Sequence, residues 1–148
     1  MLCGYLYLKA VIDIHSSFIL SWDISNTMNA TWCAGLVQNS IARLGIPQII
    51  NTDQGSKFTA AEFTTTVLDN CIKLSMDGKG RANDNIFIER FWRTIKCDHV
   101  DLDPTCDRQE LYKGIDTYMN YYNMERRLES LYNCTPYFTK QTKKQIKK

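Results

Sequence analysis

Two acidic residues stand in contexts that suit carboxylates holding a metal ion, and 35 residues separate them. Asp53 closes the short apolar run 49–53, and Gly55 follows it in a turn that another group can approach closely. Glu89 lies at the start of an amphipathic helical pattern. Because carboxylate oxygens are ligands of Mg²⁺, the pair predicts a metal site for phosphoryl transfer, which needs one further acid.

The pattern around Glu89 separates apolar from charged side chains along one helix. The apolar stripe comprises Ile88, Phe91, Trp92 and Ile95. The offset face holds residues at positions i, i+4, i+8 and i+11, namely Asn85, Glu89, Arg93 and Lys96. An acid that binds metal, flanked by cations that hold phosphates, is what a site that cleaves nucleic acid requires. Without Asp53 as its partner, the same face is more simply a solvent-exposed set of charge pairs.

Four strands are predicted around these residues. Aromatic and branched residues over 5–14 and 18–24 predict two strands, and the turn residues 15–17 between them predict a hairpin. A third strand ends at Asp53, and a short fourth one covers 71–75.

Two helices are predicted between the hairpin and the Glu89 helix. Apolar residues recur at helical spacing over 32–44, and Gly45 ends this first helix. Thr59 and Glu62 match a capping box for the second. Its inner face is predicted to hold Phe63, Val67 and Leu68.

A last helix is predicted to open with a second capping box, formed by Asp107 and Glu110. Its buried side chains are predicted to be Leu111, Ile115, Tyr118, Met119 and Tyr122. Strands and helices therefore alternate along the chain, which predicts an α/β domain with a mixed sheet.

The composition narrows the class of protein. The length of 148 residues fits one domain, and 44% hydrophobic residues exclude a disordered chain. No apolar run approaches the roughly 20 residues of a membrane span, so no membrane partner is expected, and the first residues lack a secretion signal. The six cysteines never form Cys-x-x-Cys and have no histidine at zinc-site spacing, which favours reduced cysteines in a cytoplasmic protein.

The net charge of +2 is unevenly distributed along the sequence. Residues 1–80 carry five basic and six acidic side chains, whereas residues 81–148 carry thirteen basic and ten acidic ones. The last nine residues, 140–148, contain five lysines and no acid. This basic tail either attracts a polyanion or forms a solvated chain end, and charge alone leaves both alternatives open.

The segments 51–59 and 76–96 resemble the integrase-type catalytic domain of bacterial insertion-sequence transposases. The stretch 4–28 is similar to the hairpin of that domain. Its C-terminal motif is matched by Tyr121, Tyr122, Asn123, Arg126, Leu131, Thr135 and Pro136. The resemblance implies a ribonuclease H-like fold. It also implies three acids, Asp-Asp-Glu, which bind two Mg²⁺ ions that activate water or a DNA 3′-hydroxyl for attack on a phosphodiester.

Carried over by position, Asp53 is the second acid and Glu89 the third. The first acid of the family belongs to a central strand upstream of the position of Gly4, and the 148 residues contain no counterpart. The resemblance therefore implies an N-terminally truncated core that binds Mg²⁺ or Mn²⁺ weakly and does not cleave DNA alone. Asp13 and Asp23 are expected to be turn or edge carboxylates and not substitutes for the first acid.

The residues predicted to contact nucleic acid lie beside the two acids. They are Lys57, Arg81, Asn85, Arg93 and Lys96. Lys96 is the strongest candidate because it shares the helix face of Glu89. In the C-terminal motif, Leu128 takes the position where the family usually has His.

The sequence thus predicts a transposase catalytic core over 1–139, followed by the basic tail 140–148. Its expected partners are DNA and a second copy of the chain or an intact transposase, in the bacterial cytoplasm and on the nucleoid when bound to DNA. The alternative is a non-catalytic remnant that binds nucleic acid or dimerises.

Overall fold

The computed structural model describes residues 7–52, 56–76, 86–96 and 107–146. The strands are β1 (Tyr7–Ile12), β2 (Ile19–Ser25), β3 (Ile49–Thr52) and β4 (Lys73–Met76). The helices are α1 (Ala30–Leu44), α2 (Ser56–Thr59), α3 (Ala61–Asp69), α4 (Ile86–Ile95), α5 (Arg108–Met124) and α6 (Pro136–Ile146). A 3₁₀ turn, Glu129–Leu131, lies between the last two. The chain falls into two compact units, one built from 1–11 and 20–88 and the other from 12–19 and 89–148.

The strands of the described ranges form two ladders of two strands each. β1 pairs with β2, and β3 pairs with β4 in parallel, in a register that runs from Ile49 opposite Lys73 to Thr52 opposite Met76. A parallel pair needs a crossover, which α2 and α3 supply. The predicted hairpin and both later strands are thus confirmed. The mixed sheet takes the form of two separate ladders in this part of the chain.

α1 ends before Gly45, as the sequence predicts, and it begins after Asn29, a capping residue that the sequence analysis did not select. The side chain of Asn29 accepts a hydrogen bond from the backbone N–H of Trp32 at 2.8 Å, which satisfies one of the open donors at the helix start. Gly45 follows the helix with a φ of 94°, a conformation that strains any side chain. The buried face of α1 packs with α3 and the parallel strands in a core of Cys33, Ala34, Val37, Phe63, Val67 and Ile72.

Two buried hydroxyl groups join β2 to α1 by hydrogen bonds. The Ser21 and Ser40 oxygens lie 2.5 Å apart, and each hydroxyl is 3.1 Å from the carbonyl oxygen of Leu36. Both serines are buried, so these bonds satisfy polar groups that would otherwise cost stability.

The predicted start and inner face of α3 are wrong in two respects. Ala60 occupies the N-cap position and makes no side-chain bond, whereas Thr59 ends α2 and its hydroxyl donates to the Ser56 carbonyl at 3.1 Å. The Thr59 hydroxyl is therefore bonded within α2 and does not cap α3. Leu68 is 60% exposed, because it lies about 100° around the helix from buried Val67.

The second unit is built on the apolar faces of α4 and α5. Phe91 and Ile95 of α4 are buried, as are Ile115, Tyr118, Met119 and Tyr122 of α5. The rings of Phe91 and Tyr122 meet edge to face, with centroids 5.1 Å apart. The carboxylate of Asp107 accepts from the Gln109 N–H at 3.0 Å, which confirms the predicted start of α5. Of the side chains predicted to be buried on α5, only Leu111 lies less deep, since it is half-buried. Ile88 and Trp92 of the predicted α4 stripe are half-buried as well.

Burial raises the pKa of Tyr122 from 10.0 to about 12, and the charge of Arg126 partly opposes that rise. The folded state therefore holds the phenol proton more tightly than the unfolded chain does. The associated stability is fully present below about pH 10 and is lost as the pH rises toward 12, by roughly 2–3 kcal/mol. Urea unfolding at several alkaline pH values should show this loss. Tyr122→Phe should lack it, whereas Tyr121→Phe, at a 43% exposed neighbour, should retain it.

The C-terminal helix was not predicted. α6 opens with the fully buried Pro136, whose fixed φ suits the first helical position. The ammonium of Lys140 lies 4.4 Å from the centroid of the Phe18 ring, a cation–π contact within the second unit. Residues 140–146 of the basic tail therefore continue a helix that begins before them.

Three cysteines of the described ranges, Cys33, Cys71 and Cys134, are free. None of the helices in those ranges has the length and hydropathy that a membrane crossing requires.

Candidate metal and nucleic-acid site

Asp53 directly follows the last residue of β3 in the sequence, as the apolar run predicts. Asp53 itself lies outside the described residues, together with Arg81 and Asn85. Its neighbour Thr52 is 8% exposed, and its hydroxyl oxygen has no hydrogen-bond partner within the described residues. A buried hydroxyl without a partner costs stability. The Thr52 hydroxyl at the end of β3 is therefore available for a hydrogen bond that no described residue supplies.

α4 presents Glu89 in its first turn, on an exposed face. Arg93 and Lys96 are also exposed, whereas Phe91 and Ile95 are each 1% exposed. The predicted separation of a charged face from an apolar stripe is therefore confirmed for these residues. The exposed face combines one carboxylate with cations, including Arg90, which the sequence interpretation did not select.

Lys57, a predicted phosphate contact, lies in α2 and is half-buried. Its ammonium donates to the sulfur of Met28 at 2.8 Å and lies 5.4 Å from the centroid of the Phe58 ring. The same ring has Lys9 at 5.5 Å. Lys57 therefore has intramolecular partners, and its contact with phosphate stays a prediction.

The two hairpin acids have the structural roles expected of them. Asp13 accepts from the Ser16 hydroxyl, and its backbone N–H bonds the Phe18 carbonyl at 2.9 Å, which closes the hairpin turn. The carboxylate of Asp23 on β2 accepts from the indole N–H of Trp32 at 2.8 Å. Both carboxylates therefore accept hydrogen bonds from nearby residues of the fold.

The donor chemistry of the two selected acids suits a hard divalent cation. Mg²⁺ prefers oxygen ligands, often one or two carboxylates completed by water and substrate phosphates. Asp53 and Glu89 supply carboxylate oxygens of that kind. No group of three His, Cys, Asp or Glu side chains that could hold a metal occurs among the residues that the structure describes.

The C-terminal motif contains a residue whose role sequence reasoning missed. Asn123 is 8% exposed, and its side-chain oxygen accepts from the backbone N–H of Ile19 at 2.8 Å. Its amide donates back to the Ile19 carbonyl at 3.0 Å. This reciprocal pair joins α5 to the first residue of β2. The motif match was the only signal in the sequence, and it did not identify the partner.

Two family models match this chain. An integrase core domain model matches residues 2–82, and a second integrase core domain model matches residues 70–136. The chain therefore belongs to the integrase core domain family, and the predicted resemblance to insertion-sequence transposases is confirmed.

The chain is similar to bacterial transposases over part of their length. It is 30% identical over 133 residues to the transposase for insertion sequence element IS904 of Lactococcus lactis, a match that covers 85% of this chain and 52% of that protein. The chain spans about half the length of the curated relatives it matches.

Solved structures with the same fold include retroviral integrase catalytic cores. The BIV integrase core superposes with a TM-score of 0.73 at 15% identity, and the match covers 95% of this chain and 88% of that one. The HTLV-2 integrase core, solved in complex with magnesium in a dimeric form, has a TM-score of 0.64 at 19% identity, covering 89% and 81%. The predicted ribonuclease H-like α/β fold is confirmed.

Proposed function

We propose that this domain is the catalytic core of an insertion-sequence transposase and supplies two of the acids for metal-dependent phosphodiester cleavage and strand transfer on DNA. The observation that carries the proposal is the exposed face of α4, where Glu89 is accompanied by the cations Arg93 and Lys96. Membership of the integrase core domain family supports the same reaction. The bacterial relatives favour a cytoplasmic setting on the nucleoid.

Within this proposal, Asp53 and Glu89 would hold Mg²⁺ or Mn²⁺, and the bound ion would supply polarisation of the phosphodiester and activation of the attacking hydroxyl. Arg93 and Lys96 bind the DNA phosphates beside Glu89 and orient the strand. Arg81 and Asn85, which precede α4 in the sequence, and Lys57 of α2 are proposed as further DNA contacts. The HTLV-2 integrase core has been solved in dimeric and trimeric forms, which supports self-association as a proposal for this chain as well.

The metal assignment predicts weak binding that depends on both acids. The double variant Asp53→Asn/Glu89→Gln should lose saturable Mn²⁺ binding, because amides replace the anionic oxygens that the cation requires. Electron paramagnetic resonance of free Mn²⁺ during a titration measures the difference.

The matched control is the double variant Asp69→Asn/Asp116→Asn, which neutralises two exposed acids outside the proposed metal site. This control should bind Mn²⁺ as the wild type does, since the same charge change is made away from the proposed site. Equal Mn²⁺ binding by the wild type and the Asp53/Glu89 variant would rule out the assignment.

The proposed phosphate contacts predict DNA binding that depends steeply on salt. Each neutralised phosphate releases condensed counterions, so log K falls with log salt by roughly 0.9 for each contact on duplex DNA. Lys96→Ala should reduce the magnitude of this slope by about 0.9, the value for one contact. The reduction should be the same for every DNA sequence. Fluorescence anisotropy over a salt series measures it.

Lys113→Ala is the control for this measurement, because Lys113 is an exposed lysine on α5 and its loss changes the net charge by the same amount. Its slope should equal that of the wild type. Affinity that is insensitive to salt, or equal slopes for Lys96→Ala and wild type, would contradict the proposed contacts.

A further inference from the structure

One tyrosine of the second unit holds its ring almost entirely in solvent. Tyr132, which follows the 3₁₀ turn, is 95% exposed, more than any other large apolar or aromatic side chain in the described ranges. A ring so exposed buries almost no surface in the folded domain, so packing gives no reason for an aromatic residue at this position.

The backbone at Tyr132 also disfavours a bulky residue. Its φ of 54° and ψ of 42° lie in the left-handed region, which Gly adopts without strain and which Asn tolerates. The next residue, Asn133, has a φ of 61°. Tyr132 thus has a strained backbone and contributes almost nothing to packing. Strained residues of this kind cluster at binding sites.

The turn below the ring is held mainly by main-chain bonds, and the Cys134 thiol also lies 3.9 Å from the Tyr132 carbonyl oxygen. Leu128 and Cys134 form an antiparallel bridge, in which the Leu128 N–H donates to the Cys134 carbonyl at 3.1 Å. The Asn133 N–H donates to the Leu128 carbonyl at 3.0 Å, and the Tyr132 N–H donates to the Glu129 carbonyl at 3.0 Å. The side chain of residue 132 can therefore change without removing a bond that shapes the turn.

The charge of the surrounding segment identifies the kind of partner. From residue 126 to residue 148 the sequence carries seven basic side chains and one acidic side chain. An exposed aromatic ring within a segment of net positive charge is one way in which proteins bind unpaired nucleotides, since cations hold the backbone and the ring stacks on a base. A protein surface as the partner would not require this excess of positive charge.

We propose that Tyr132 is a stacking residue for an unpaired base of DNA, a contact separate from the metal site. The inference rests on the proposed function for its ligand, because it assumes that the domain acts on DNA. An exposed ring can hold an unpaired base by stacking, whatever the base.

The test uses the full chain and a single-stranded oligonucleotide that carries 2-aminopurine, whose fluorescence falls when it stacks. Tyr132→Gly should weaken binding by about 5- to 100-fold and abolish the quenching, whereas Tyr132→Phe should stay within about two-fold of the wild type. The salt slope should be the same for all three proteins, because no charge changes. Since Gly suits the left-handed backbone, Tyr132→Gly should remain folded, which circular dichroism checks.

Tyr137→Ser is the matched control, because Tyr137 is 42% exposed in the regular helix α6. Its affinity should be unchanged, and a loss equal to that of Tyr132→Gly would overturn the assignment. Unchanged DNA binding by Tyr132→Gly would overturn this inference and leave the proposed function standing. If Tyr132→Gly altered only self-association, measured by sedimentation, the ring would belong to a protein contact and the inference would be wrong. No binding of DNA by the wild type would overturn both proposals.

Discussion

Glu89→Gln is expected to lower the rate of strand transfer on DNA by on the order of 10³-fold or more. A metal-bound carboxylate supplies several kcal/mol of transition-state stabilisation, and each 1.36 kcal/mol corresponds to about tenfold in rate. The substitution keeps the size of the side chain on the exposed face of α4 and removes its charge, so folding should be unaffected.

The assay joins these 148 residues to an Asp-containing strand from a transposase relative, because the resemblance places the first acid upstream of Gly4. Gel analysis of labelled transposon-end DNA with Mg²⁺ measures the products. Glu62→Gln is the control, since Glu62 is an exposed acid in the first turn of α3, and its rate should stay within about two-fold. A Glu89→Gln protein that retained a tenth of the activity would remove Glu89 from the proposed chemistry.

Asn123→Ala is expected to lower the free energy of unfolding by roughly 2–5 kcal/mol. The change leaves the backbone N–H and carbonyl of Ile19 without their side-chain partner in a buried position. Each buried polar group that loses its partner costs about 1–3 kcal/mol. Urea unfolding monitored by tryptophan fluorescence measures the loss.

The control for this prediction lies one helical turn earlier. Asn120→Ala removes the same side chain from an exposed position of α5 and should change stability by no more than about 0.5 kcal/mol. Asn123→Asp should fall between the two, because a carboxylate accepts from the Ile19 N–H and cannot donate to the Ile19 carbonyl. A loss below about 1 kcal/mol for Asn123→Ala would show that water replaces the amide.

Local patterns in the sequence predicted most of the elements that position the candidate site. The turn residues 15–17 identified the hairpin, and Asn29 and Gly45 lie at the ends of a helix that apolar periodicity located. The two faces of α4 followed from spacing alone. These features depend on residues within a few positions of one another, which is why they can be read before the chain is folded.

The errors in the predicted elements had different physical reasons, and one of them was competition between two local structures for the same residue. Thr59 fits a capping box in sequence, yet its hydroxyl bonds the Ser56 carbonyl at the end of α2. Leu68 is as apolar as its neighbour Val67, but only one of them faces the core. Composition gave no indication of α6, because lysine-rich ends occur both in helices and in solvated tails.

The sequence by itself determined the α/β class and the family, and it selected the two acids proposed as metal ligands, since each rests on a local motif or its spacing. Only the tertiary structure decided that Asn123 bonds Ile19, because 104 residues separate them and no periodicity links such positions. It also decided that the ring of Tyr132 points into solvent from a left-handed turn. Exposure depends on what the rest of the chain covers, and that is settled only when the helices pack.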